Sequence, residues 1–285
     1  MKTILIIGRH VGAQGSQHDD IISRTYNLAI DLVRHGYNVV TDELTQRLFG
    51  LPMQYAKNPK ECDFAIIIGG DGTMVGASRD LASEENQVKL IGINAGRLGF
   101  ITDLPKNVGI NVLLDMLKGH HKLEERRLLR CNGKLALNDV VFKSNNGRVL
   151  DFAVTINGMF AYRCRADGVL ITTPTGSTAY SCSANGAILY PTARVLEIVP
   201  LLPQTLSHRP LVINDDAVIG VTVKRGGIMY IDGIDGGEMI ADQEYEVALA
   251  KEIATFCHPI DTHSYDFFKT LREKLHWYLE PGTPS

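Results

Sequence analysis

The sequence predicts two domains, an N-terminal α/β domain with a parallel sheet and a β-rich, sandwich-like domain behind it. Strand and helix patterns alternate over the first hundred residues, which is typical of a parallel sheet covered by helices. From Lys134 to His258 the chain consists of short apolar runs between turn signals, which indicates antiparallel strands. The character changes after Pro105, so we place the first domain at 1–103 and the second at 104–261.

The N-terminal half begins with a buried-strand pattern at Ile4–Ile7. A helical spacing of apolar residues follows over Asp19–His35, and Gly36 ends it. The later patterns are strands at Tyr37–Thr41, Phe64–Ile68 and Val88–Ile93 and a helix at Met74–Ser83. Ligands of open parallel sheets bind at the carboxyl ends of strands. We therefore expect the segments that follow Phe64–Ile68 and Val88–Ile93 to carry a site.

The second half begins with a helix predicted at Val108–Leu117. The charged stretch Lys122–Arg130 is interpreted as a solvated face. Asn157-Gly158 lies between two apolar runs and predicts a tight hairpin. Strands are predicted at Leu135–Phe142, Phe152–Ile156, Met159–Arg163, Leu211–Ile213, Ala217–Val223, Met229–Ile231 and Tyr245–Leu249, and a last helix at Tyr265–Trp277.

The composition excludes several classes of protein. The 285 residues are 45% hydrophobic and 21% charged with a net charge of −3, which is ordinary for a globular protein and argues against a nucleic-acid partner. No segment reaches membrane-spanning length, and the apolar start of the chain stops at Gly8, too early for a secretory signal. Five scattered cysteines without a C-x-x-C pair argue against a zinc site and a disulfide framework, so we expect a reducing cytoplasm and buried thiols at Cys62, Cys131, Cys164, Cys182 and Cys257.

The most informative motif is Gly69-Gly70-Asp71-Gly72-Thr73, directly behind the predicted strand Phe64–Ile68. Glycines let backbone amides approach a phosphate closely, and amides at a helix start form an anion site. A carboxylate among phosphates is useful when it binds a divalent metal or takes a proton from an attacking hydroxyl, and both tasks belong to phosphoryl transfer. The alternative is a strand-to-helix turn in which Asp71 serves only as a cap.

Two further polar points interrupt apolar runs. The loop Asn94–Phe100 contains Gly96, Arg97 and Gly99, and could close over a ligand or be a plain turn. Asn138-Asp139 lies inside the apolar run Leu135–Phe142, where polar side chains need partners. A ribose diol or an adenine edge would satisfy that pair, although an isolated dipeptide of this kind is more often structural.

The segment Asp167–Gly186 is the richest in polar chemistry. A predicted strand at Val169–Ile171 ends in a loop of threonines, serines and glycine, and a helix is expected to begin near Ser177–Ser181. Hydroxyls and amides at a helix start suit an anionic or polyhydroxy ligand. Because the hydroxyls outnumber what capping requires, we interpret the segment as a binding site.

Taken together, these motifs resemble the NAD kinase family. Gly69–Thr73, Asn138-Asp139 and Asp167–Gly186 stand in that family's order, and the stretches Asn94–Phe100 and Pro200–Ile213 are similar to it as well. The glycine motif alone also occurs in phosphofructokinases and in diacylglycerol and sphingosine kinases. The whole set covers nearly the entire chain and is highly specific, and no P-loop lysine motif is present.

The resemblance implies an enzyme that phosphorylates the 2′-hydroxyl of the adenosine ribose of NAD to make NADP. It implies a cleft between the two domains, with the last helix, in 262–285, returning to the first domain. Asp71 would be the general base, with Gly72 beside it, and Asn138 and Asp139 would hold NAD by the adenine or ribose. The remaining residues carried over for dinucleotide binding are Arg148, Arg165, Asp167, Thr178, Ala179, Tyr180, Ser181, Cys182 and Ser183, with Asp167 towards the nicotinamide end.

The expected cofactor is a divalent cation, Mg²⁺, with ATP and NAD as substrates and a homodimer or homotetramer as the assembly. The donor, ATP or inorganic polyphosphate, and the choice between NAD and NADH stay open. The chain departs from many family members in carrying Asp139 for glutamate and Ile234 for glutamine. The alternatives are a lipid or sugar kinase that shares the glycine motif, and a non-catalytic dinucleotide sensor.

Overall fold

The computed structural model describes residues 1–8, 16–49, 54–84, 88–96, 99–145, 147–205, 207–260 and 266–277. The chain divides into two compact units, one formed by Met1–Glu124 with Ala254–Ser285 and the other by Glu125–Ile253. The limits predicted for the functional domains, 1–103 with 262–285 and 104–261, remain predictions. Within the described residues, no helix combines the length and apolar character needed to cross a membrane.

The elements of the first hundred or so residues alternate between strand and helix as predicted, and mostly strands follow. The first are β1 (Thr3–Gly8), α1 (Ser16–Arg34), β2 (Asn38–Thr41), α2 (Glu43–Phe49), β3 (Phe64–Gly69), α3 (Asp71–Leu81), β4 (Lys89–Asn94) and α4 (Ile110–Lys118). The next are β5 (His121–Cys131), β6 (Lys134–Ala136), β7 (Asp139–Lys143), β8 (Leu150–Ile156), β9 (Met159–Ala166), β10 (Gly168–Thr172), α5 (Tyr180–Ser183) and β11 (Val195–Leu201). The last are β12 (Leu211–Asn214), β13 (Ile219–Val223), β14 (Gly227–Ile231), β15 (Ile234–Met239), β16 (Glu244–Pro259) and α6 (Phe267–Leu275).

The N-terminal unit is built on parallel strands in the order β2-β1-β3-β4, and Thr255 and Phe256 near the end of β16 pair with β4. Every residue of β3 is buried, as expected for a parallel strand with helices on both faces. One core cluster joins the sheet to α1 and α4. Gly119 caps the C-terminus of helix α4, and its left-handed φ of 115° lets its N–H bond to the carbonyls of Asp115 and Met116.

The C-terminal unit contains two antiparallel sheets that pack face to face. One has the order β12-β11-β10-β7-β14-β15, and the other contains the start of β16 followed by β13, β8 and β9. Phe142 and Ile171 of the first sheet and Phe152 and Val221 of the second belong to one buried cluster. This arrangement is the predicted sandwich.

Two local predictions are settled by the backbone. Asn157 and Gly158 have φ values of 52° and 75° and join β8 to β9, which confirms the hairpin. The helix expected at Met74–Ser83 starts three residues earlier, at Asp71, because Gly70 is its N-cap and Asp71, Gly72 and Thr73 belong to its first turn. Asp71 is therefore on a helix, where its position is better defined than it would be in a loop.

The charged stretch Lys122–Arg130 was interpreted wrongly as a solvated face. It lies in strand β5, whose side chains alternate, and Arg126 is only 2% exposed. Its guanidinium donates to Thr175 Oγ1 at 3.2 Å. Counting charges missed the two-residue period that buries every second side chain of a strand.

Several elements were absent from the sequence-based prediction. Helix α2 and strands β11 and β15 were not expected. Strand β15 is hard to find because only its first and last residues are large and apolar. The thiols were expected to be buried, and Cys182 is the exception, being only half-buried.

Candidate active site

Asp71 lies directly behind the carboxyl end of β3, as the first residue of α3. Its side chain is half-buried and faces the segment that follows β4. Among the described residues, the donors to its carboxylate belong to Phe100, Ile101 and Thr102 rather than to α3 itself. The carboxylate therefore does not serve as a simple cap of its own helix.

Four hydrogen bonds fix the Asp71 carboxylate. The N–H of Phe100 donates to Oδ2 at 2.8 Å. Oδ1 accepts from the N–H groups of Ile101 and Thr102, at 3.3 and 3.2 Å, and from Thr102 Oγ1 at 2.9 Å. Backbone donors of this kind hold a negative charge in one place without a neighbouring cation.

Asn94, the last residue of β4, supports the same segment. Its Nδ2 donates to Thr102 Oγ1 at 2.7 Å, and its Oδ1 accepts from the N–H of Gly96 at 2.7 Å. Asn94 and Thr102 are both buried. The structure therefore brings together the two strand ends on which the sequence placed polar residues, whereas Arg97 of the same loop lies outside the described residues.

The glycines around Asp71 have different roles. A Cβ at Gly99 would lie 1.8 Å from Asp71 Oδ1 and 2.4 Å from Thr102 Oγ1, so a side chain here requires the Asp71 carboxylate or its own segment to shift. A Cβ at Gly70 or at Gly72 would meet nothing within 4 Å. The space beside those two glycines is open, and their backbone is accessible to a ligand.

The C-terminal unit carries a cavity of about 480 Å³ along β7 and beside Tyr230 of β14. Four of the predicted binding residues, Asn138, Asp139, Ala179 and Tyr180, line it together. The cavity is also lined by Val141, Lys143, Ser144, Tyr230, Asp232 and Gly233. A lining that combines apolar and polar groups is typical of a small-molecule site.

Asp139 has an unusual environment for a carboxyl group. It is 4% exposed and lines this cavity. Burial, and secondarily the nearby negative charge of Asp232, raises the pKa of Asp139 to about 7. At neutral pH its carboxyl group can therefore donate a hydrogen bond or accept one.

Asp232 holds the Asn138-Asp139 corner in place. Its carboxylate accepts from the N–H groups of Leu137 and Asn138, both at 2.8 Å, and of Asp139 at 3.1 Å. Asp232 and Gly233 have φ values of 49° and 75° and form the tight turn between β14 and β15. Sequence reasoning missed this residue, although an Asp-Gly pair between apolar runs was the signal that could have located it.

A second cavity, of about 690 Å³, lies beside the first in the same unit. Asp167, Tyr180 and Ser183 are the predicted residues that line it, along with His208 and Arg209. The remaining lining residues are Lys143, Ala184, Asn185, Pro200, Leu201, Leu202, Pro203 and Pro210.

Lys143 and Tyr180 line both cavities. Lys143 Nζ donates to the Tyr180 hydroxyl at 3.3 Å, and it also lies 5.5 Å from the centre of the Tyr180 ring. Sequence analysis did not select Lys143, because a single lysine at the end of a strand gives no distinctive pattern. The structure shows it as a cation shared by the two cavities.

Comparison with known protein families found a match in each half of the chain. Residues 4–121 match the family model of the ATP-NAD kinase N-terminal domain, and residues 137–258 match that of the ATP-NAD kinase C-terminal domain. The chain belongs to the NAD kinase family. The family resemblance inferred from the motifs is thereby confirmed.

Individual NAD kinases match over most of their length. The NAD kinase of Ralstonia nicotianae is 36% identical, over 98% of this chain and 94% of its own. That of Bordetella pertussis is 39% identical, over 89% of this chain and 90% of its own.

Two solved structures share the fold. Yeast NADH kinase complexed with NADH has a TM-score of 0.83 at 19% identity, covering all of this chain and 90% of its own. An NAD kinase from Archaeoglobus fulgidus in complex with ATP has a TM-score of 0.74 at 22% identity, covering 97% and 99%. At these identities the likeness establishes the fold.

The hydroxyl-rich segment of this NAD kinase family member is bonded internally to a greater extent than expected. Thr172 Oγ1 donates to the carbonyl of Asn138 at 2.9 Å, and Thr173 Oγ1 donates to that of Leu137 at 2.6 Å. Ser181 is fully buried and donates to Glu197 at 2.9 Å. These hydroxyls shape the segment that carries Tyr180, so their abundance does not measure how many contact a ligand.

Five of the residues carried over for dinucleotide binding in the C-terminal unit of this NAD kinase family member line neither of these two cavities. Arg148 and Arg165 are exposed, and Thr178 and Cys182 are half-buried. Ser181 is the fifth. Their assignment to dinucleotide binding remains a prediction.

Proposed function

We propose that this chain is an NAD kinase that transfers the γ-phosphoryl group of ATP to the 2′-hydroxyl of the adenosine ribose of NAD. The observation that carries the proposal is the anchored carboxylate of Asp71 behind a run of glycines at the carboxyl end of β3. Family membership, established over both halves of the chain, supports the same reaction.

Asp71 is the general base in this proposal. As the ribose 2′-oxygen attacks the γ-phosphorus, its proton passes to the Asp71 carboxylate, a new P–O bond forms, and ADP leaves. Four hydrogen bonds keep the carboxylate in one orientation before the substrate arrives. Such preorganisation is the main contribution a protein makes to phosphoryl transfer.

The donor phosphates are proposed to bind over the glycines of the same motif. The open space beside Gly70 and Gly72 admits a phosphate close to the backbone, and the start of α3 provides a favourable dipole. No trio of His, Cys, Asp or Glu among the described residues forms a metal cage. We therefore propose that a Mg²⁺ ion would be held mainly by oxygens of the triphosphate, with Asp71 as the nearby carboxylate. When bound, the ion would neutralise phosphate charge.

The dinucleotide is proposed to bind in the C-terminal unit. Asn138 and Asp139 offer amide and carboxyl groups suited to ribose hydroxyls or an adenine edge. Tyr180 offers an aromatic face, and Lys143 offers a positive charge for the diphosphate. Asp167 and Ser183, in the second cavity, are assigned to the other end of the dinucleotide.

The finer expectations stay part of the proposal. We place the enzyme in the cytoplasm as a homodimer or homotetramer, with no nucleic-acid partner. Light scattering of the purified protein measures the assembly directly. Comparison of ATP with inorganic polyphosphate, and of NAD with NADH, identifies the preferred donor and acceptor.

The test is NADP formation from NAD, ATP and Mg²⁺ by the wild type, Asp71→Asn and Asp80→Asn. Asp80 is an exposed carboxylate near the other end of α3 and is the matched control. We expect Asp71→Asn to bind NAD normally by calorimetry and to lose several orders of magnitude in turnover, while Asp80→Asn stays active. Near-normal turnover in Asp71→Asn would show that the base is another group.

A wild type that binds NAD but makes no NADP with ATP or with polyphosphate would favour a dinucleotide sensor. Activity towards a lipid or sugar hydroxyl in place of NAD would favour a different kinase that shares the glycine motif. Either result would overturn the proposal.

A further inference from the structure

The geometry points to Thr102 as a positioning residue for the proposed reaction. It is held by Asn94, and it fixes Asp71 Oδ1 so that Oδ2 is the atom that accepts the ribose proton. This inference rests on the proposed function. It concerns two residues that neither the family motifs nor the sequence analysis had assigned to a role at the base.

The direction of the hydrogen bonds follows from one fixed donor. The N–H of Gly96 can only donate, so the Asn94 atom 2.7 Å away is the carbonyl Oδ1, and the amide Nδ2 faces Thr102. The Thr102 hydroxyl accepts from that amide, and its single proton is then directed to Asp71 Oδ1 at 2.9 Å. This series of hydrogen bonds runs from Asn94 through Thr102 to Asp71, and it requires a hydrogen-bond acceptor at its end.

The two oxygens of Asp71 are used unequally. Oδ1 accepts from two N–H groups and one hydroxyl, which exceeds the two lone pairs of a carboxylate oxygen. Oδ2 accepts from the N–H of Phe100 and keeps a lone pair for another donor. Oδ1 is therefore the anchored atom, and Oδ2 is the atom available to a substrate hydroxyl.

The test compares two substitutions at Thr102 with a matched control. Thr102→Val removes the hydroxyl and keeps the shape, whereas Thr102→Ser keeps the hydroxyl. Thr41→Val is the control, because Thr41 is also fully buried in the N-terminal unit and its Oγ1 donates at 2.9 Å to the carbonyl of Ile6, away from Asp71. It reports the cost of losing a buried hydroxyl alone.

We expect Thr102→Val to lower kcat about tenfold to a hundredfold, because a misplaced base is costly in rate, while KM for NAD and ATP changes by about twofold or less. Thr102→Ser should retain most of the activity, and Thr41→Val should match the wild type. A merely structural role would reduce activity in step with the loss of stability, equally in the two valine variants.

Asn94→Asp tests the donor-to-acceptor direction of this series of hydrogen bonds. The introduced carboxylate still accepts from the N–H of Gly96, but it cannot donate to Thr102 and competes with Asp71 for the hydroxyl proton. We expect a fall in kcat of about tenfold without a change in overall fold. Wild-type kcat in this variant would overturn the proposed direction.

Hydrogen–deuterium exchange supplies a readout that does not depend on activity. The amides of residues 100–102 donate to Asp71, so we expect slow exchange over segment 99–104 in the wild type. Exchange there should be faster in Thr102→Val and Asn94→Asp, and unchanged in Thr41→Val.

The outcomes separate this inference from the proposed function. An active wild type with unimpaired kcat in Thr102→Val disproves the positioning role and leaves the kinase proposal intact. A wild type that makes no NADP disproves both the kinase proposal and the role of Thr102 in positioning its base. The exchange data then report only whether the anchor of Asp71 exists as a structural feature.

Discussion

Replacing Gly99 with alanine should disable the Asp71 site through sterics alone. A Cβ at this position would lie 1.8 Å from Asp71 Oδ1, whereas ordinary contacts begin at 3.4 Å. The carboxylate or the segment 99–102 must therefore move by about 1.6 Å, the difference between those two distances. A displacement of about 1 Å at a reacting group can cost a hundredfold in rate, so we expect kcat to fall by at least about that factor.

The same substitution should also destabilise the N-terminal unit. Moving the carboxylate weakens hydrogen bonds from Phe100, Ile101 and Thr102, and bonds to a charged group contribute about 1.5–3 kcal/mol each. Because the segment can relax in part, we expect the free energy of unfolding to fall by about 2–4 kcal/mol. Urea denaturation measures this loss, and NADP formation measures kcat.

Gly96→Ala is the matched control in the same loop. Its Cβ would come no closer than 3.9 Å to a neighbouring atom, Asn94 Oδ1, so the substitution fits without displacement. We expect stability and kcat close to those of the wild type. If Gly99→Ala were as active as Gly96→Ala, the tight contact between Gly99 and the Asp71 carboxylate would not exist in solution.

Three further predictions concern the cavities of the C-terminal unit. The folded pKa of Asp139, about 7, lies above the value of about 3.9 for an unfolded Asp, so stability that is full below about pH 4 is lost as the pH rises through 7. Asp139→Asn removes this loss, so its free energy of unfolding relative to the wild type should rise by a few kcal/mol, on the order of 4 at most, between about pH 4 and pH 7. Urea denaturation at pH 4, 5.5 and 8 measures this difference. A difference that does not depend on pH would refute the raised pKa. Lys143→Met should raise KM for NAD about tenfold with kcat nearly unchanged, because it removes a cation next to Tyr180 that both cavities share. An unchanged KM in steady-state kinetics would contradict a role of Lys143 in binding NAD. Asp232→Asn leaves one fewer acceptor oxygen for three N–H groups, so it should cost about 2–4 kcal/mol of stability and weaken NAD binding. Thermal denaturation measures the stability, and calorimetry measures the binding. Wild-type values of both would show that Asp232 does not hold the Asn138-Asp139 corner.

The fold class could be predicted because it depends on local patterns. Fully buried parallel strands such as β3 have continuous apolar runs, and the turn at Asn157-Gly158 needs residues that tolerate positive φ. Both signals are contained in a few neighbouring residues. Strand β5 was misinterpreted because the burial of Arg126 depends on the elements packed against it, which a run of charges does not reveal.

The role of hydroxyl side chains could not be inferred from their number. Thr172, Thr173 and Ser181 look alike in sequence to residues that face a ligand, yet each donates to a partner within the C-terminal unit. The relevant acceptors, such as Glu197, are distant in sequence. Pairing between distant polar groups is decided only when the chain is folded.

The sequence by itself determined the chemistry of this protein: a carboxylate behind glycines at the end of a buried strand, and a polar pair inside an apolar one. Those signals are local, because apolar runs and turn-forming residues are patterns of adjacent residues. The tertiary structure alone decided what holds these groups in place. Thr102 lies 31 residues from Asp71, and Asp232 lies 93 residues from Asp139, so both contacts exist only because the sheets bring distant strand ends together.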